Sequence, residues 1–426
     1  MADVRAKSVP QPPRNRTMTT TTLAIVAVLF ACALFPGRSA SAKVTLDIDP
    51  EVANLAGRVR IEETYFNNAE VSYTYTQRLM IPPTNDNAYT SVEAKVRQIT
   101  LGKGYWIDYQ SEMKTAGNQR LTQVRTAAFD GRITRIQMRN AGTMYCSRIP
   151  DPDVIHPHEL FGFTPRIRLS DYLTTGLSDT KFPDGLVFHQ TMTRKPNEMF
   201  GGIDCNVVEV VDTLTGTFNK RAVNESSRTI LWICPERNYL PLRVQTFERV
   251  NGEEKMLSVQ QINQLTKVGD RLYYPDAIYM IDFDPTPRPT IDPANPAGGA
   301  GAGADAGAGA APQAKPPEPP KEHRRRAWTI DKVRLNPQIP YEKLRDVKFR
   351  DGTTVTIINE GNVLTKYKVG NRPSELEADR KIQTLFGLNP TTVPFNANPR
   401  PRQPRGPAAS QPSDTIAPIP DRIAPQ

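Results

Sequence analysis

The fold of this 426-residue chain is decided by residues 228–283, RTILWICPERNYLPLRVQTFERVNGEEKMLSVQQINQLTKVGDRLYYPDAIYMIDF. Three turn signals divide this stretch, at residues 235–238, at Asn251-Gly252 and at Gly269-Asp270. The chain can reverse at each of them, because Pro fixes φ and because Asn and Gly tolerate the positive φ values of tight turns. The run after the last turn carries four aromatic residues that suit a pleated surface, Tyr273, Tyr274, Tyr279 and Phe283. The stretch predicts a four-stranded antiparallel meander.

Runs of alternating apolar and polar residues recur upstream and predict further strands. They lie at residues 71–80, 92–101, 104–112, 121–129, 132–138, 186–193 and 203–213. An amphipathic helix is expected to begin at Asp49-Pro50 and to cover one side of the sheet, and residues 169–175 suit a second, short helix. A wide sheet of consecutive hairpins curls under its own twist. We therefore predict an α+β fold, a strongly curved antiparallel sheet of about ten strands capped by helices.

Residues 1–42 have the features of an export signal. Basic residues precede an apolar run at residues 23–35, and Ala40-Ser41-Ala42 is an A-x-A cleavage site, so cleavage is expected after Ala42. The apolar run has 13 residues, whereas a membrane-spanning helix needs about 20. The sequence therefore predicts a protein of the periplasm or another part of the cell envelope. An uncleaved anchor and lipidation at Cys32 stay open as alternatives.

The rest of the chain divides by composition. Residues 43–284 and 327–387 carry strand and helix patterns and are predicted to form one domain, closed by a helix at residues 374–386. Residues 285–326 are mostly rich in Pro, Ala and Gly and end in a basic run, so we expect a disordered loop inserted into that domain. The Pro-rich residues 388–426 are expected to form a disordered tail.

The formal net charge of +9 does not favour nucleic-acid binding. The excess lies in the leader, in residues 321–326 and in the tail, which leaves the predicted domain near neutrality. The basic run could instead contact an anionic membrane surface, through Lys321, Arg324, Arg325 and Arg326. A solvated stretch of charge is the alternative interpretation of the same residues.

Three cysteines remain after the predicted cleavage, Cys146, Cys205 and Cys234. An odd number cannot all be bridged within one chain, so at most one disulfide is expected in an oxidising compartment. Cys205 and Cys234 lie on strands predicted to be neighbours, which favours that pair. Buried free thiols in a β core are the alternative.

No motif of a common catalytic or metal site occurs in the sequence. G-x-S-x-G, the Walker phosphate loop, C-x-x-C and H-E-x-x-H are all absent. The segment His156-Pro157-His158-Glu159 lacks the spacing of a metal site and is interpreted as a loop. We therefore expect a non-catalytic protein without cofactor or metal; a hydrolase whose site is assembled only by the fold is the alternative.

Residues 231–243, Asn251-Gly252 and residues 273–275 resemble the bacterial LolA/LolB-like lipoprotein carrier proteins. The resemblance is one of layout and implies an open antiparallel half-barrel, capped by helices, whose apolar cavity holds acyl chains of lipoproteins in the periplasm. It implies that the chain binds or carries lipid or acylated lipoprotein. The alternative is a structural or sensor protein of the envelope that uses the same fold to contact a protein partner.

The residues predicted to line the cavity are large, apolar and placed on strands: Tyr73, Tyr75, Trp106, Trp232, Leu242 and Tyr274. A slip of one residue in register would turn any of them to the other face of the sheet. A packed core that holds no ligand is the alternative.

Overall fold

The computed structural model describes residues 43–80, 88–151, 156–159, 167–177, 182, 185–218, 221–250, 253–283, 321–347, 352–359, 362–369 and residues 382, 384 and 386. The predicted signal, the inserted segment up to residue 320 and the tail lie outside these residues. So does most of the predicted closing helix, of which residues 382 and 384 are helical.

The described residues contain sixteen β-strands and two α-helices. The strands are β1 Lys43–Ile48, β2 Asn68–Leu79, β3 Tyr89–Leu101, β4 Gly104–Thr115, β5 Arg120–Phe129, β6 Thr134–Met138, β7 Thr143–Ser147, β8 Leu186–Phe200, β9 Ile203–Phe218, β10 Arg221–Cys234, β11 Leu240–Val250, β12 Glu253–Val268, β13 Leu272–Phe283, β14 Glu322–Leu335, β15 Thr354–Asn359 and β16 Asn362–Lys368. The helices are α1 Pro50–Glu63 and α2 Leu169–Thr175. Short 3-10 turns span Thr64–Phe66, Pro157–Glu159, Pro235–Arg237 and Tyr341–Arg345.

All sixteen strands belong to one sheet, in the order β1-β8-β9-β10-β11-β12-β13-β14-β2-β3-β4-β5-β6-β7-β15-β16. Neighbours pair antiparallel, except β1 with β8 and β7 with β15, which pair parallel. One open sheet with two helices agrees with the predicted α+β architecture, but the predicted count of about ten strands is wrong. β1 and β7 are short, and no local turn signal connects either of them to its parallel partner.

The predicted meander is confirmed as β10 to β13, which pair antiparallel in sequence order. At its first turn, Pro235–Arg237 forms a 3-10 turn and Asn238 has a φ of 57°. At its last turn, Gly269 has a φ of 74°. Asn and Gly tolerate these left-handed values better than other residues do, so the turn chemistry sets the register. The Asn251-Gly252 turn lies outside the described residues.

β14 lies between β13 and β2 and so joins the two halves of the sheet. Phe283 of β13 pairs with Glu322 of β14, so the segment between them begins and ends at neighbouring points. The strands on either side of this segment therefore belong to the same sheet. Residues 322–326 belong to the sheet and not, as predicted, to the loop.

Helix α1 begins where the sequence predicts. The Asp49 side chain accepts a hydrogen bond from the Glu51 amide at 2.8 Å, and Pro50 occupies the first turn. α1 and α2 together pack on the sheet residues Met192, Val208, Val210, Leu231, Ile233 and Val244. We call the side of the sheet that they cover the helix face, and the opposite side the outer face. Neither helix has the length and apolar composition of a membrane-spanning helix, in the part of the chain that is described.

Candidate functional site

The helix face extends well beyond the two helices. Paired residues of antiparallel strands point to the same side, as do residues two apart on one strand. One row of pairs crosses the sheet through Leu231, Val244, Gln260, Met280, Arg326 and Gln77. The next row of the same face contains Ile278, Trp328, Tyr75, Ala94 and Ser111. The face that α1 and α2 cover on β8 to β11 is therefore continuous with β13, β14 and β2 to β4.

Four of the six predicted lining residues lie on this face, Tyr73, Tyr75, Leu242 and Tyr274. Tyr73, Leu242 and Tyr274 are buried in one apolar cluster, and Tyr75 packs against it. The cluster also contains Val71, Ala94, Val96, Ile262, Ile278, Met280, Trp328 and Ile330. The structure thus brings these four predicted residues together on one apolar surface.

The other two predicted residues, Trp106 and Trp232, lie on the outer face. Trp106 belongs to a separate cluster, and its indole Nε1 donates to the Asp346 carbonyl at 3.0 Å. Trp232 belongs to the same continuous cluster as Tyr73. It pairs with Arg243, however, whereas its neighbour Leu231 pairs with Val244 on the helix face, so Trp232 points to the opposite side of the sheet. Its Nε1 donates to Glu198 at 2.8 Å. Strand alternation alone could not choose between the two faces at these positions.

The helices cover only one part of the helix face. α1 and α2 pack on β8 to β11, whereas the described cover over β13 consists of Phe66 and the turn Pro157–Glu159. The Phe66 and His158 rings lie 5.8 Å and 5.6 Å from the Tyr274 ring. Among the described residues, no α-helix packs on the surface formed by β14 and β2 to β4. We call the surface around Tyr73, Tyr75 and Trp328 the open part of the helix face, in the sense that no described helix covers it; the side chains of Tyr73 and Trp328 are themselves buried, at 5% and 1% exposed.

The turn Pro157–Glu159 attaches to the sheet through polar contacts. His158 Nδ1 lies 3.2 Å from the Tyr274 hydroxyl, Gln98 hydrogen-bonds His156, and Arg168 pairs with Glu159 at 3.5 Å. Burial lowers the pKa of His158 to about 4, so this histidine is neutral at physiological pH. Within the described ranges, no group of His, Cys, Asp and Glu side chains has the geometry of a metal site. The segment interpreted as a loop is a buried turn on the helix face.

A charged group lies at one end of the open part. Asp282 accepts from Arg324 Nε at 2.6 Å and from the Arg326 guanidinium at 3.0 Å. These residues follow Met280 and precede Trp328 in the same alternation, which places them on the helix face. Arg325 points to the outer face and pairs with Glu322, and Lys321 is exposed. The predicted basic patch is therefore divided between the two faces of β14. We call Asp282, Arg324 and Arg326 the charged rim.

Three buried donors, one in the rim and two in the open part, have no hydrogen-bond partner among the described residues. They are the indole Nε1 of Trp328, the hydroxyl of Ser111 and Nε of Arg326. Trp328 and Ser111 are only 1% and 2% exposed, and an unpaired buried polar group costs about 1–3 kcal/mol. Burial raises the pKa of the nearby Tyr75 to about 12, against the opposing charges of Arg326 and Arg324. Neither Trp328 nor Ser111 is among the predicted lining residues, although Ser111 lies in the strand predicted at residues 104–112 and Trp328 lies in the patterned stretch that begins at residue 327.

Cys205 and Cys234 come together on β9 and β10. Ile233 pairs with Asn206, which brings the two cysteines to adjacent positions. Both are buried free thiols, and the hydrogen bond between them, together with burial, raises the pKa of Cys205. The structure thus places Cys205 and Cys234 on neighbouring strands as the sequence predicts, and a disulfide between them stays a prediction.

Comparison with known proteins gives little beyond a similar layout. No protein-family model matches the chain, and no curated protein matches its sequence. Among solved structures, the chain is similar to a domain described as an outer membrane lipoprotein-sorting protein domain from Vibrio parahaemolyticus. The two are 9% identical over 68% of this chain and 95% of that chain, with a TM-score of 0.31. A TM-score this low supports no conclusion about the site or its ligand.

Proposed function

We propose that this chain is an exported protein of the cell envelope that binds or carries the acyl chain of a lipid or lipoprotein, without catalysis. The observation that supports this proposal is the open part of the helix face. Large apolar side chains continue there beyond the region that α1 and α2 cover, and three buried donors beside them lack partners. Small-molecule sites are lined mostly by apolar side chains with a few polar groups that fix the ligand's orientation.

The free energy of burying an acyl chain on this surface is adequate for reversible carriage. Each buried methylene contributes about 0.8 kcal/mol, so about ten methylenes of an acyl chain would contribute up to about 8 kcal/mol. Ordering the chain and the site reduces this value. About 8 kcal/mol corresponds to a dissociation constant of about 1 μM, so we expect affinities in the micromolar range or weaker. A carrier must release its cargo, and this range permits release.

The turn Pro157–Glu159 is suited to act as the movable cover. Its contacts to the sheet include His158 with Tyr274 and His156 with Gln98, which are polar and can be replaced by water. The α2 helix beside it is held to α1 by Glu63, which accepts from both the amide and the hydroxyl of Ser170. The sheet beneath is held by continuous ladders. Entry of a chain would therefore displace the turn and leave the sheet intact.

A pair of matched substitutions tests whether the open part holds a ligand. Ala94 lies on the helix face between Tyr75 and Ser111, and Ala128 lies in the outer-face cluster; both are fully buried. Ala94→Phe should occupy ligand space and weaken binding of a fluorescent fatty-acyl probe at least tenfold, while the protein stays folded. Ala128→Phe should overpack a filled core and lower the melting temperature.

Equal destabilisation by both substitutions would contradict the proposal, because it would show that the open part is packed. A wild-type protein that binds no acyl probe and yields no lipid on solvent extraction and mass spectrometry would also contradict it. Capture of an envelope protein by such a lipid-free chain would instead favour the structural or sensor role.

Export is tested separately. β1 begins at Lys43, immediately after the predicted cleavage site, and Lys43 pairs with Val187 of β8. The intact mass of the protein recovered from cells should correspond to a chain that starts at Lys43. A chain that starts at Met1 would indicate a retained anchor, and one that starts at Cys32 with added lipid mass would indicate a lipoprotein.

A further inference from the structure

We infer that the ligand is an anionic amphiphile, an acyl chain that carries a carboxylate or phosphate, and that its head group binds Arg326 and Arg324 at the charged rim. This inference rests on the proposed function and adds the chemical class of the ligand to it. The charge balance of the rim, the donors left without partners and their order along the strands all support it.

The rim carries an excess of positive charge. Two guanidinium groups share the single carboxylate of Asp282, which leaves a net charge of +1. The side chains of Arg324 and Arg326 are 23% and 20% exposed, so an anion can reach them without unfolding of the strand. Arg324 uses only its Nε on Asp282, and its two terminal amino groups have no partner among the described residues. A planar fork of this kind suits a carboxylate or phosphate.

The unpartnered donors continue inward from the rim. Arg326 Nε and Trp328 Nε1 have no acceptor in the described part of the chain; Ser111 Oγ also lacks one, but it lies three strands to the side of Trp328. An indole N–H can only donate, so the site around Trp328 is completed by an acceptor atom. Trp328 follows Arg326 by two residues, which is about 7 Å along a strand. A head group at the arginines with an ester, amide or acid oxygen one step deeper would meet both sets of donors.

The apolar cluster lies beyond these donors. Trp328 pairs with Tyr75, and the next row of the helix face pairs Ile330 with Tyr73 and Tyr73 with Val96. Charge, single donors and apolar side chains thus follow one another along β14 and β2. This order matches a molecule with an anionic head and an apolar tail, and it determines the direction in which the molecule lies, with its head at the rim.

The test compares three fluorescent or competing probes on the full mature chain: a fatty acid with a dansyl label, the methyl ester of the same acid, and dodecyl phosphate as a competitor. Wild-type protein should bind the acid at least tenfold more tightly than the ester, and dodecyl phosphate should displace the acid. Inorganic phosphate alone should displace it only at far higher concentration. Displacement by inorganic phosphate as effective as by dodecyl phosphate would overturn the inference in favour of a free-anion site.

The substitutions separate the rim from the rest of β14. Arg326→Gln should weaken binding of the acid at least tenfold and leave binding of the ester within twofold. Arg325→Gln is the matched control, because Arg325 lies on the outer face and pairs with Glu322. Arg325→Gln should change neither the affinity for the acid nor the affinity for the ester. If Arg326→Gln does not fold, Arg324→Gln is the second variant; it also leaves one arginine with Asp282, so the rim loses its excess positive charge and the same selective loss is expected.

Two failures can be told apart. Tight binding of both acid and ester to the wild type, with no effect of Arg326→Gln on the acid, would overturn the anionic head group and leave the acyl-binding proposal standing. A wild type that binds none of the probes would contradict the proposed function itself.

Discussion

The covered part and the open part of the helix face differ in whether their buried side chains find partners within the protein. On β8 to β11, α1 and α2 cover the sheet with apolar side chains, and Val208, Leu231 and Ile233 are fully buried. On β14 and β2 to β4, buried donors lack partners and two arginines share one carboxylate. The first arrangement is that of a core whose packing stabilises the fold. The second leaves interactions to be made by a ligand, so stability and binding should respond to substitutions in different parts of one face.

The largest effect is expected from a cavity in the covered part. Leu231→Ala removes a fully buried side chain beneath α1 and α2 and should lower the free energy of unfolding by about 2–5 kcal/mol. Urea unfolding of the purified protein measures this change. Binding of the acyl probe to the folded fraction should stay within twofold of the wild type. A loss of less than 1 kcal/mol would show that the covered part is loosely packed and does not differ from the open part in this respect.

The second prediction concerns a buried carboxyl group in the covered part. Asp212 accepts from Gln190 Nε2 at 2.7 Å, and burial raises the pKa of Asp212 from 3.8 to about 6. The folded state therefore keeps the proton to a higher pH than the unfolded state does. Stability from this group is fully present below about pH 4 and is lost as the pH rises to about 6. The loss amounts to about 3 kcal/mol at most.

Asp212→Asn removes this loss. The gain in stability of this variant over the wild type should grow between pH 4 and pH 6 and then stay constant. Above that range Asp212 is ionised in both the folded and the unfolded protein. Urea unfolding at pH 4.5, 5.5 and 7.5 measures the difference. A difference that is the same at all three pH values would show that Asp212 titrates in the folded protein as it does in the unfolded chain.

The sequence predicted the covered part better than the open part. Turn residues and the Asp49-Pro50 cap are local signals, and they correctly indicated the meander and α1. The faces of Trp106 and Trp232 depend on register across several strands with bulges, which no local signal carries. Arg324 and Arg326 were predicted as part of a basic run that could contact a membrane surface, but their pairing with Asp282 was not predicted. The two arginines stand at the end of a Pro-rich and basic segment, and Asp282 lies 42 and 44 residues away from them on a neighbouring strand.

The third prediction is a modest change in the open part. Trp328→Phe removes the unpartnered indole N–H and keeps an aromatic ring against Tyr75, whose ring centre lies 5.2 Å away. Stability should stay within about 1 kcal/mol of the wild type, because no hydrogen bond is lost in the free protein. Affinity for the fatty-acid probe should fall about threefold to tenfold. Trp106→Phe is the matched control; it breaks the bond to the Asp346 carbonyl and should lower stability without changing affinity. A loss of affinity from Trp106→Phe and none from Trp328→Phe would place the ligand on the outer face instead.

The smallest effect is expected from the segment between β13 and β14. Phe283 pairs with Glu322, so the sheet already holds both ends of this segment at neighbouring points. The cost of closing a flexible loop grows only with the logarithm of its length, about 0.6 kcal/mol for each doubling. Replacement of residues 285–320 by a short Gly/Ser turn should therefore leave the melting temperature nearly unchanged or slightly raised. Acyl binding is the sharper measurement, because the segment starts and ends beside Asp282 and Arg324 of the charged rim. Unchanged affinity would show that the rim functions without the segment, whereas destabilisation by several kcal/mol would show that the segment packs on the domain and belongs to the fold.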